Sequence, residues 1–242
     1  MPNGHFPASS VGRITSGISL GDLARMTVRF VADQLPAWRD DPDRKDEKAE
    51  ERLNLQLCKF LDAQSRRVFP MVRFDREEFQ SGRHRVDLSA SPAESMLIGA
   101  RLYSIYEPIL VIEGKRLPAP SASREREYVT GGKKPTGGIQ RFKLGLHGAP
   151  LSLAAMVGYV QSGDIGHWHT KVNSWVLDLS SGAAGDACSW SAEERLESHG
   201  RVAADRVAVL RSLHARTGDA ALDHIELWHL WIQMTQGSAP AG

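Results

Sequence analysis

An uninterrupted aliphatic run that ends in two charged residues limits the folds open to this sequence. Residues 108–115 read Pro-Ile-Leu-Val-Ile-Glu-Gly-Lys, with four consecutive aliphatic side chains at positions 109–112. Successive side chains of a strand point to opposite faces, so a run of this kind is typical of a strand covered on both faces. The sequence therefore predicts a central sheet strand with other elements packed on each side.

Glu113 and Lys115 follow the aliphatic residues and are two positions apart, so their side chains point to the same face of the strand. A carboxylate and an ammonium group at this place are costly to bury unless a metal ion, an anion or another charge compensates them. Asp87 is predicted to end another strand, and pairing of the two strands would bring both carboxylates together. Two carboxylates with water and a phosphate oxygen are a usual way to hold Mg²⁺. A lysine beside such a cation can orient or deprotonate the attacking water.

Helical and strand-like patterns alternate along the rest of the chain. Apolar residues at helical spacing predict helices over 18–38, from 46 to about 66, from 139 and from 164. Strand patterns occur over 72–74, 85–89, 151–160 and 225–234, residues 94–105 fit either type, and residues 191–216 show no clear pattern. This alternation is typical of an α/β fold.

Asp87, followed by Glu113-Gly114-Lys115 at the end of an aliphatic strand, resembles the PD-(D/E)XK nuclease superfamily, the fold of many restriction endonucleases. The resemblance covers roughly residues 46–180. It implies a restriction-endonuclease-like core with a mixed central sheet flanked by helices. Residues 1–45 would then form an N-terminal helical extension, and residues 181–242 a C-terminal, strand-containing extension of the same domain. The chain departs from the family pattern in one respect, because Val86 rather than proline precedes Asp87.

The resemblance also implies an activity, which is hydrolysis of DNA phosphodiester bonds with Mg²⁺, or Mn²⁺ in its place. Asp87 and Glu113 would be the metal ligands and Lys115 the catalytic lysine. Glu50, which shares a helical stripe with the apolar residues of its helix, and Gln140, on the helix after the Glu-Gly-Lys sequence, would support them. The resemblance further implies a role in bacterial defence or restriction. Because a single active site cuts one strand at a time, we expect a homodimer for double-strand cleavage. Because an unrestrained nuclease would harm its own cell, we expect control by a regulatory protein partner or a ligand.

The formal net charge of +1 conceals a basic segment at residues 115–143, which has eight basic and two acidic residues. Such a segment is either a phosphate-facing surface or a solvated loop. The candidates for contacts to a nucleic-acid backbone are Arg116, Lys133, Lys134, Arg141 and Lys143. On the helix predicted from residue 139, Gln140, Lys143 and His147 should share a polar face, which is either solvated or in contact with phosphate or the attacking water.

The sequence lacks the patterns that are typical of several other classes of protein. No segment approaches the ~18 apolar residues of a membrane helix, and the first residues lack the basic and apolar pattern of a secretory signal, so we expect a cytoplasmic protein without a membrane partner. The glycine-rich stretch at 131–138 lacks the Gly-Lys-Ser/Thr of a phosphate loop. His167 and His169 are two apart on a predicted helix and point in different directions, so a zinc site is not expected.

Two other classes of function stay open. One is a catalytically silent nuclease-fold protein that binds nucleic acid or a partner protein. The other is an interaction subunit in which Glu113 and Lys115 form only an ion pair at the protein surface. The joint presence of Asp87, Glu113 and Lys115 favours an active enzyme, and the sequence leaves DNA or RNA, single- or double-stranded, open as the substrate.

Overall fold

The computed structural model describes residues 17–80, 84–182, 185–200, 205–217 and 222–235. Within these residues there are four α-helices, which are α1 (Leu20–Arg39), α2 (Glu50–Val68), α3 (Gly138–Lys143) and α4 (Ile165–Ser180). The strands are β1 (Val72–Arg76), β2 (Leu88–Pro92), β3 (Met96–Ile98), β4 (Arg101–Tyr103), β5 (Leu110–Leu117), β6 (Leu153–Val160), β7 (Glu197–Gly200), β8 (Val207–Ala215) and β9 (His224–Gln233). Two 3₁₀ helices occupy Ala122–Tyr128 and Ala192–Glu194.

Seven of the strands form one mixed sheet in the order β1-β2-β5-β6-β9-β8-β7, and β3 pairs with β4 in a separate hairpin. The pairs β1–β2 and β2–β5 are antiparallel, β5–β6 and β6–β9 are parallel, and β9–β8 and β8–β7 are antiparallel. Parallel neighbours need a crossover connection, and α3 and α4 lie in the crossovers that follow β5 and β6. The predicted α/β class and the central position of β5 are therefore confirmed.

Alternate side chains of β5 enter two different apolar clusters, one on each face of the sheet. Leu110 and Ile112 pack in a cluster with residues of α1 and α2. Val111 and Leu117 pack on the opposite face in a cluster with residues of α3 and α4. Because Glu113 and Lys115 share the alternation of Val111 and Leu117, they extend from the face that α3 covers.

The segments predicted as extensions at the two ends both pack on this central structure. From the C-terminal side, β9 pairs with β6 in parallel over eight residue pairs, from Leu153–Glu226 to Val160–Gln233. From the N-terminal side, α1 contributes Leu23, Val31 and Leu35 to the same apolar cluster as α2. The C-terminal end of the described chain thus adds a strand to the sheet, and the N-terminal end packs a helix on it. In the portion of the chain that the structure covers, no helix is long and apolar enough to cross a lipid bilayer.

Candidate functional site

Asp87 lies beside Glu113 because of the way β2 pairs with β5. The two strands are antiparallel, with Leu88 opposite Ile112, so the next position along each strand sets Asp87 opposite Glu113. The backbone N–H of Gly114 donates to Oδ2 of Asp87 at 2.9 Å. The sequence predicted Asp87 at the end of a strand and Glu113 near the end of another. Instead, Asp87 immediately precedes β2 and Glu113 lies in the middle of β5, yet the antiparallel pairing still brings the two carboxylates together.

The two oxygens of the Glu113 carboxylate have different surroundings. The side chain is buried, with 1% of it exposed. Its Oε1 accepts from Nη1 of Arg141 at 2.9 Å and lies 3.0 Å from Nζ of Lys115. Its Oε2 has no hydrogen-bond partner, and Nδ1 of His147 lies 3.3 Å away without the alignment of a hydrogen bond. One carboxylate oxygen is therefore saturated with positive charge, and the other faces only the imidazole of His147.

Glu50 completes the arrangement from the first turn of α2. Its Oε1 accepts from Nζ of Lys115 at 2.8 Å, and its Oε2 accepts from the backbone N–H of Arg116 at 3.1 Å. Lys115 therefore lies between two carboxylates, one from its own strand and one from a helix that precedes it by 65 residues in sequence. The structure brings together Asp87, Glu113, Lys115 and Glu50, as the sequence predicted, while their chemical roles stay predictions.

The electrostatics of the site follow from burial and from the closeness of these charges. Burial, and secondly the charge of Glu113, raise the pKa of Asp87 to about 7. Burial alone would raise the pKa of Glu113, but Lys115, His147 and Arg141 together hold that pKa well below its ordinary value. Burial would lower the pKa of Lys115, but the charges of Glu113, Glu50 and Asp87 raise it instead. Lys115 is therefore an ammonium group at neutral pH, and the pKa of Asp87 stays raised because burial and the charge of Glu113 outweigh the charge of Lys115.

The donor set fits a divalent cation held by few protein ligands. Among the described residues, no group of three or more His, Cys, Asp and Glu side chains is arranged to hold a metal ion. Two carboxylates are nevertheless adjacent, the pKa of Asp87 is raised, and Oε2 of Glu113 lacks a hydrogen-bond partner. Mg²⁺ usually keeps several waters and takes only one or two protein carboxylates. Asp87 and Glu113 are the residues that would hold such an ion.

Gln140 is not directed toward these charged groups. Its side-chain oxygen accepts from the backbone N–H groups of Gly131 and Gly137, and its nitrogen donates to the carbonyl of Gly132 at 2.6 Å and to Oδ1 of Asp186 at 2.9 Å. All of these bonds lie within or beside the glycine-rich loop at 131–138. The expectation that Gln140 supports the reacting groups is therefore corrected, since its side chain shapes the loop.

The prediction that Lys143 contacts a nucleic-acid backbone is also wrong, because Lys143 is fully buried. Its Nζ forms an ion pair with Glu194 and donates to the carbonyl of Ala215 at 3.1 Å. The expected polar face of Gln140, Lys143 and His147 does not form, because all three side chains are buried. Helix α3 ends at Lys143, and Gly145, with φ of +65°, reverses the chain so that His147 is carried back to Glu113.

Most of the basic segment at 115–143 is already paired. Arg116 donates to Gln161 at 2.9 Å, Arg141 pairs with Glu113, and Arg124 and Arg126 pair with Glu127 and Asp178. Lys133 and Lys134 are exposed, and no ion pair of either is present in the part of the chain that the structure describes. The free positive charge beside the site is therefore smaller than the sequence indicates, and it is concentrated in the loop at 131–138.

The contacts that His147 and Arg141 make with Glu113 were not predicted. Helical periodicity could not indicate them, because the helix is only six residues long and the chain turns before residue 147. A comparison of the chain with protein-family models, with curated proteins and with solved structures finds no match.

Proposed function

We propose that this chain is a metal-dependent nuclease that hydrolyses phosphodiester bonds of DNA and has a restriction-endonuclease-like core. The observation that carries the proposal is the meeting of Asp87, Glu113 and Lys115 at one place on the sheet. Asp87 immediately precedes β2, which pairs antiparallel with β5, the strand of Glu113 and Lys115. Lys115 lies 3.0 Å from Glu113. Two adjacent carboxylates with a buried ammonium group are a suitable arrangement for a cation and a phosphate.

The order of elements around the site supports the same proposal. Helix α2 is followed by β1, β2 and β5, which are antiparallel neighbours, and then by α3, the parallel strand β6 and α4. This agrees with the order implied by the resemblance, in which a helix precedes an Asp-bearing strand and a Glu-x-Lys strand, and a helix, a strand and a helix follow. Glu50 also lies where an acidic residue of the first core helix is expected in that family.

The roles of the side chains follow from their charge states. A divalent cation bound to Asp87 and Glu113 would polarise the phosphate and stabilise the leaving oxygen. Because the pKa of Lys115 is raised, Lys115 acts as an ammonium group that orients the attacking water or a phosphate oxygen rather than as a base. Glu50 and Glu113 hold that ammonium group in place from two sides.

The nucleic-acid backbone would approach over the partly exposed edge of the site. The side chains of Glu50 and Arg141 are 24% and 25% exposed, while Glu113 and Lys115 lie beneath them. Lys133 and Lys134 extend into solvent from the loop at 131–138. Such lysines contact phosphates and position the substrate without reading its base sequence.

A second candidate is a catalytically silent nuclease-fold protein that binds nucleic acid or a partner protein. The observation in its favour is that Oε1 of Glu113 already carries Lys115 and Arg141. A carboxylate with two cationic partners is electrostatically satisfied, so the cluster could serve to hold β5, α2 and α3 together. This candidate predicts nucleic-acid binding that does not depend on a divalent cation.

The test is cleavage of plasmid DNA and single-stranded DNA by the purified chain with Mg²⁺, with Mn²⁺ or with EDTA. We expect cation-dependent cleavage by the wild type and by the control variant Glu51→Gln, which changes an exposed residue of the same helix turn. We expect no cleavage by Glu113→Gln or by Lys115→Ala. Cleavage that survives both substitutions would place the chemistry elsewhere. Binding of DNA with a steep salt dependence but without cleavage would favour the silent candidate.

A further inference from the structure

Three buried polar atoms without hydrogen-bond partners lie together behind the proposed active site. They are Oε2 of Glu113 and both ring nitrogens of His147. Each of these side chains is 1% exposed, and Nδ1 of His147 is 3.3 Å from Oε2 of Glu113. Buried polar groups are almost always paired, and a cation shared between Nδ1 of His147 and Oε2 of Glu113 would satisfy both of these facing atoms.

The separation of the two facing atoms fits a shared cation. Imidazole nitrogens and carboxylate oxygens lie about 2.0–2.2 Å from a bound transition metal. Two such donors on one cation are therefore about 3.0–3.4 Å apart for coordination angles between octahedral and tetrahedral. The observed 3.3 Å lies within this interval. Lys115 and Arg141 both contact Oε1 of Glu113 and leave Oε2 free.

Packing rather than hydrogen bonding orients the imidazole of His147. Its ring lies edge-on to Phe142 with ring centres 5.7 Å apart, and edge-on to His84 with ring centres 6.5 Å apart. The backbone N–H of His147 donates to the carbonyl of Arg141 at 3.3 Å, which ties the turn to helix α3. The side chain is thus held against Glu113 while both of its nitrogens stay available.

We propose that His147 is a ligand of the cation that Glu113 holds, through Nδ1, and that this cation is a divalent first-row transition metal in preference to Mg²⁺. The proposal rests on the cation site of the proposed function and adds an imidazole to its oxygen donors. Imidazole is a poor ligand for Mg²⁺ and a good one for transition metals, and affinity rises from Mn²⁺ to Co²⁺ in a given site. Water and phosphate oxygens would fill the remaining positions, with the charge of Asp87 beside them.

The competing explanation is a protonated His147 that forms only an ion pair with Glu113. The two explanations predict opposite effects of removing the imidazole. A ligand strengthens cation binding, so its loss weakens the affinity. A protonated His147 beside Glu113 competes with the cation. Loss of that positive charge therefore strengthens cation binding or leaves it unchanged.

The experiment is calorimetric titration of the full chain with Mg²⁺, Mn²⁺ and Co²⁺, without nucleic acid, for the wild type, His147→Ala and the control His167→Ala, which removes an exposed histidine of α4. In His147→Ala we expect the Kd for Mn²⁺ and Co²⁺ to rise at least about tenfold, since outer-shell changes alone cost that much, and the Kd for Mg²⁺ to change less. In His167→Ala we expect no change. Unchanged or tighter Mn²⁺ binding in His147→Ala would overturn the proposal.

A measurement on the wild type covers the case in which His147→Ala does not fold. Electron spin echo modulation of bound Mn²⁺ should contain the coupling of a directly bonded ¹⁴N nucleus, and its absence would overturn the proposal. The cleavage assay and the ¹⁴N coupling test the proposed function and the role of His147 separately. Cleavage with Mg²⁺ and no ¹⁴N coupling keeps the nuclease and removes His147 from the site. A ¹⁴N coupling without cleavage supports His147 as a ligand and removes the nuclease.

Discussion

The carboxylate of Glu50 meets the ammonium group of Lys115 at 2.8 Å across 65 residues of sequence. Helix α2 supplies the carboxylate from its first turn, and strand β5 supplies the ammonium group. Because Lys115 is also 3.0 Å from Glu113, its Nζ is held between two elements that are not neighbours in the chain. The position of this candidate catalytic group therefore depends on how α2 packs against the sheet.

Glu50→Gln should impair catalysis more than folding. The substitution removes the charge that holds Lys115 from the side of α2 but keeps the size of the side chain. We expect DNA cleavage to fall about tenfold to hundredfold, because a small misplacement of a reacting group has effects of that size. Glu51→Gln, the matched control, should cleave at the wild-type rate with a similar melting temperature. Equal losses in both variants would indicate a general effect on the start of α2.

Cation binding should become tighter as the pH rises through 7. The pKa of Asp87 is raised to about 7, and a carboxyl group must lose its proton before it binds a cation. Below pH 7 the cation has to displace that proton, and above pH 7 the carboxylate is already free. Mg²⁺ titrations at pH 6, 7 and 8 in buffers of different ionisation enthalpy should show about one proton released at the lower pH and almost none at pH 8. A pH-independent affinity would contradict this role of Asp87.

The same shift predicts how Asp87 affects stability in the absence of a cation. The pKa of Asp87 is higher in the folded chain than in the unfolded chain, so the folded state binds the extra proton. The stability that this carboxyl group contributes is complete below about pH 4 and is lost as the pH rises toward 7. Asp87→Asn should therefore raise the free energy of unfolding at pH 8 in EDTA by about 1–3 kcal/mol, and hardly change it at pH 4. Urea unfolding at the two pH values tests this, and a loss of stability at pH 8 would refute it.

Substitution of Lys143 should affect folding, whereas substitution of Lys133 should affect substrate binding. Lys143 is buried in an ion pair with Glu194. Lys143→Met leaves the buried Glu194 carboxylate with only the imidazole of His214, 3.4 Å away, and should cost about 3–5 kcal/mol in urea unfolding. Lys133 is exposed, so Lys133→Ala should change stability by less than about 0.5 kcal/mol. The Lys133 variant should instead bind DNA more weakly, with a salt dependence reduced by about one phosphate contact. A Lys143 variant of wild-type stability would show that the ion pair with Glu194 does not hold the fold.

Gly114 should be intolerant of any side chain. A Cβ atom at this position would lie 1.9 Å from Oδ1 of Asn54, a buried residue of α2 that accepts a hydrogen bond from Tyr159. Gly114→Ala should therefore force α2 away from β5, cost about 1–3 kcal/mol of stability, and reduce cleavage by moving Glu50 away from Lys115. Gly17→Ala, where a Cβ would meet no atom within 4 Å, is the control. Normal cleavage by Gly114→Ala would show that the site tolerates a shift of the helix.

Structural elements with a local pattern could be predicted from the sequence alone. Four consecutive aliphatic residues predicted a strand buried on both faces, and β5 is the third of seven strands in the sheet. The alternation of side chains on a strand set Glu113 and Lys115 on one face. The apolar stripe of α2 indicated that Glu50 faces inward. Each of these conclusions needs only the geometry of one helix or one strand, which neighbouring residues determine.

Which polar and charged groups are buried, and what they contact, depends on the tertiary fold. Gln140, Lys143 and His147 looked like one polar face, but each is buried against a different part of the chain. Their partners are Asp186, Glu194 and Glu113, which lie between 34 and 51 residues away in sequence. A buried charge is stable only beside a partner that compensates it. The folded sheet and its crossovers bring such partners together, so no local pattern in the sequence reveals them.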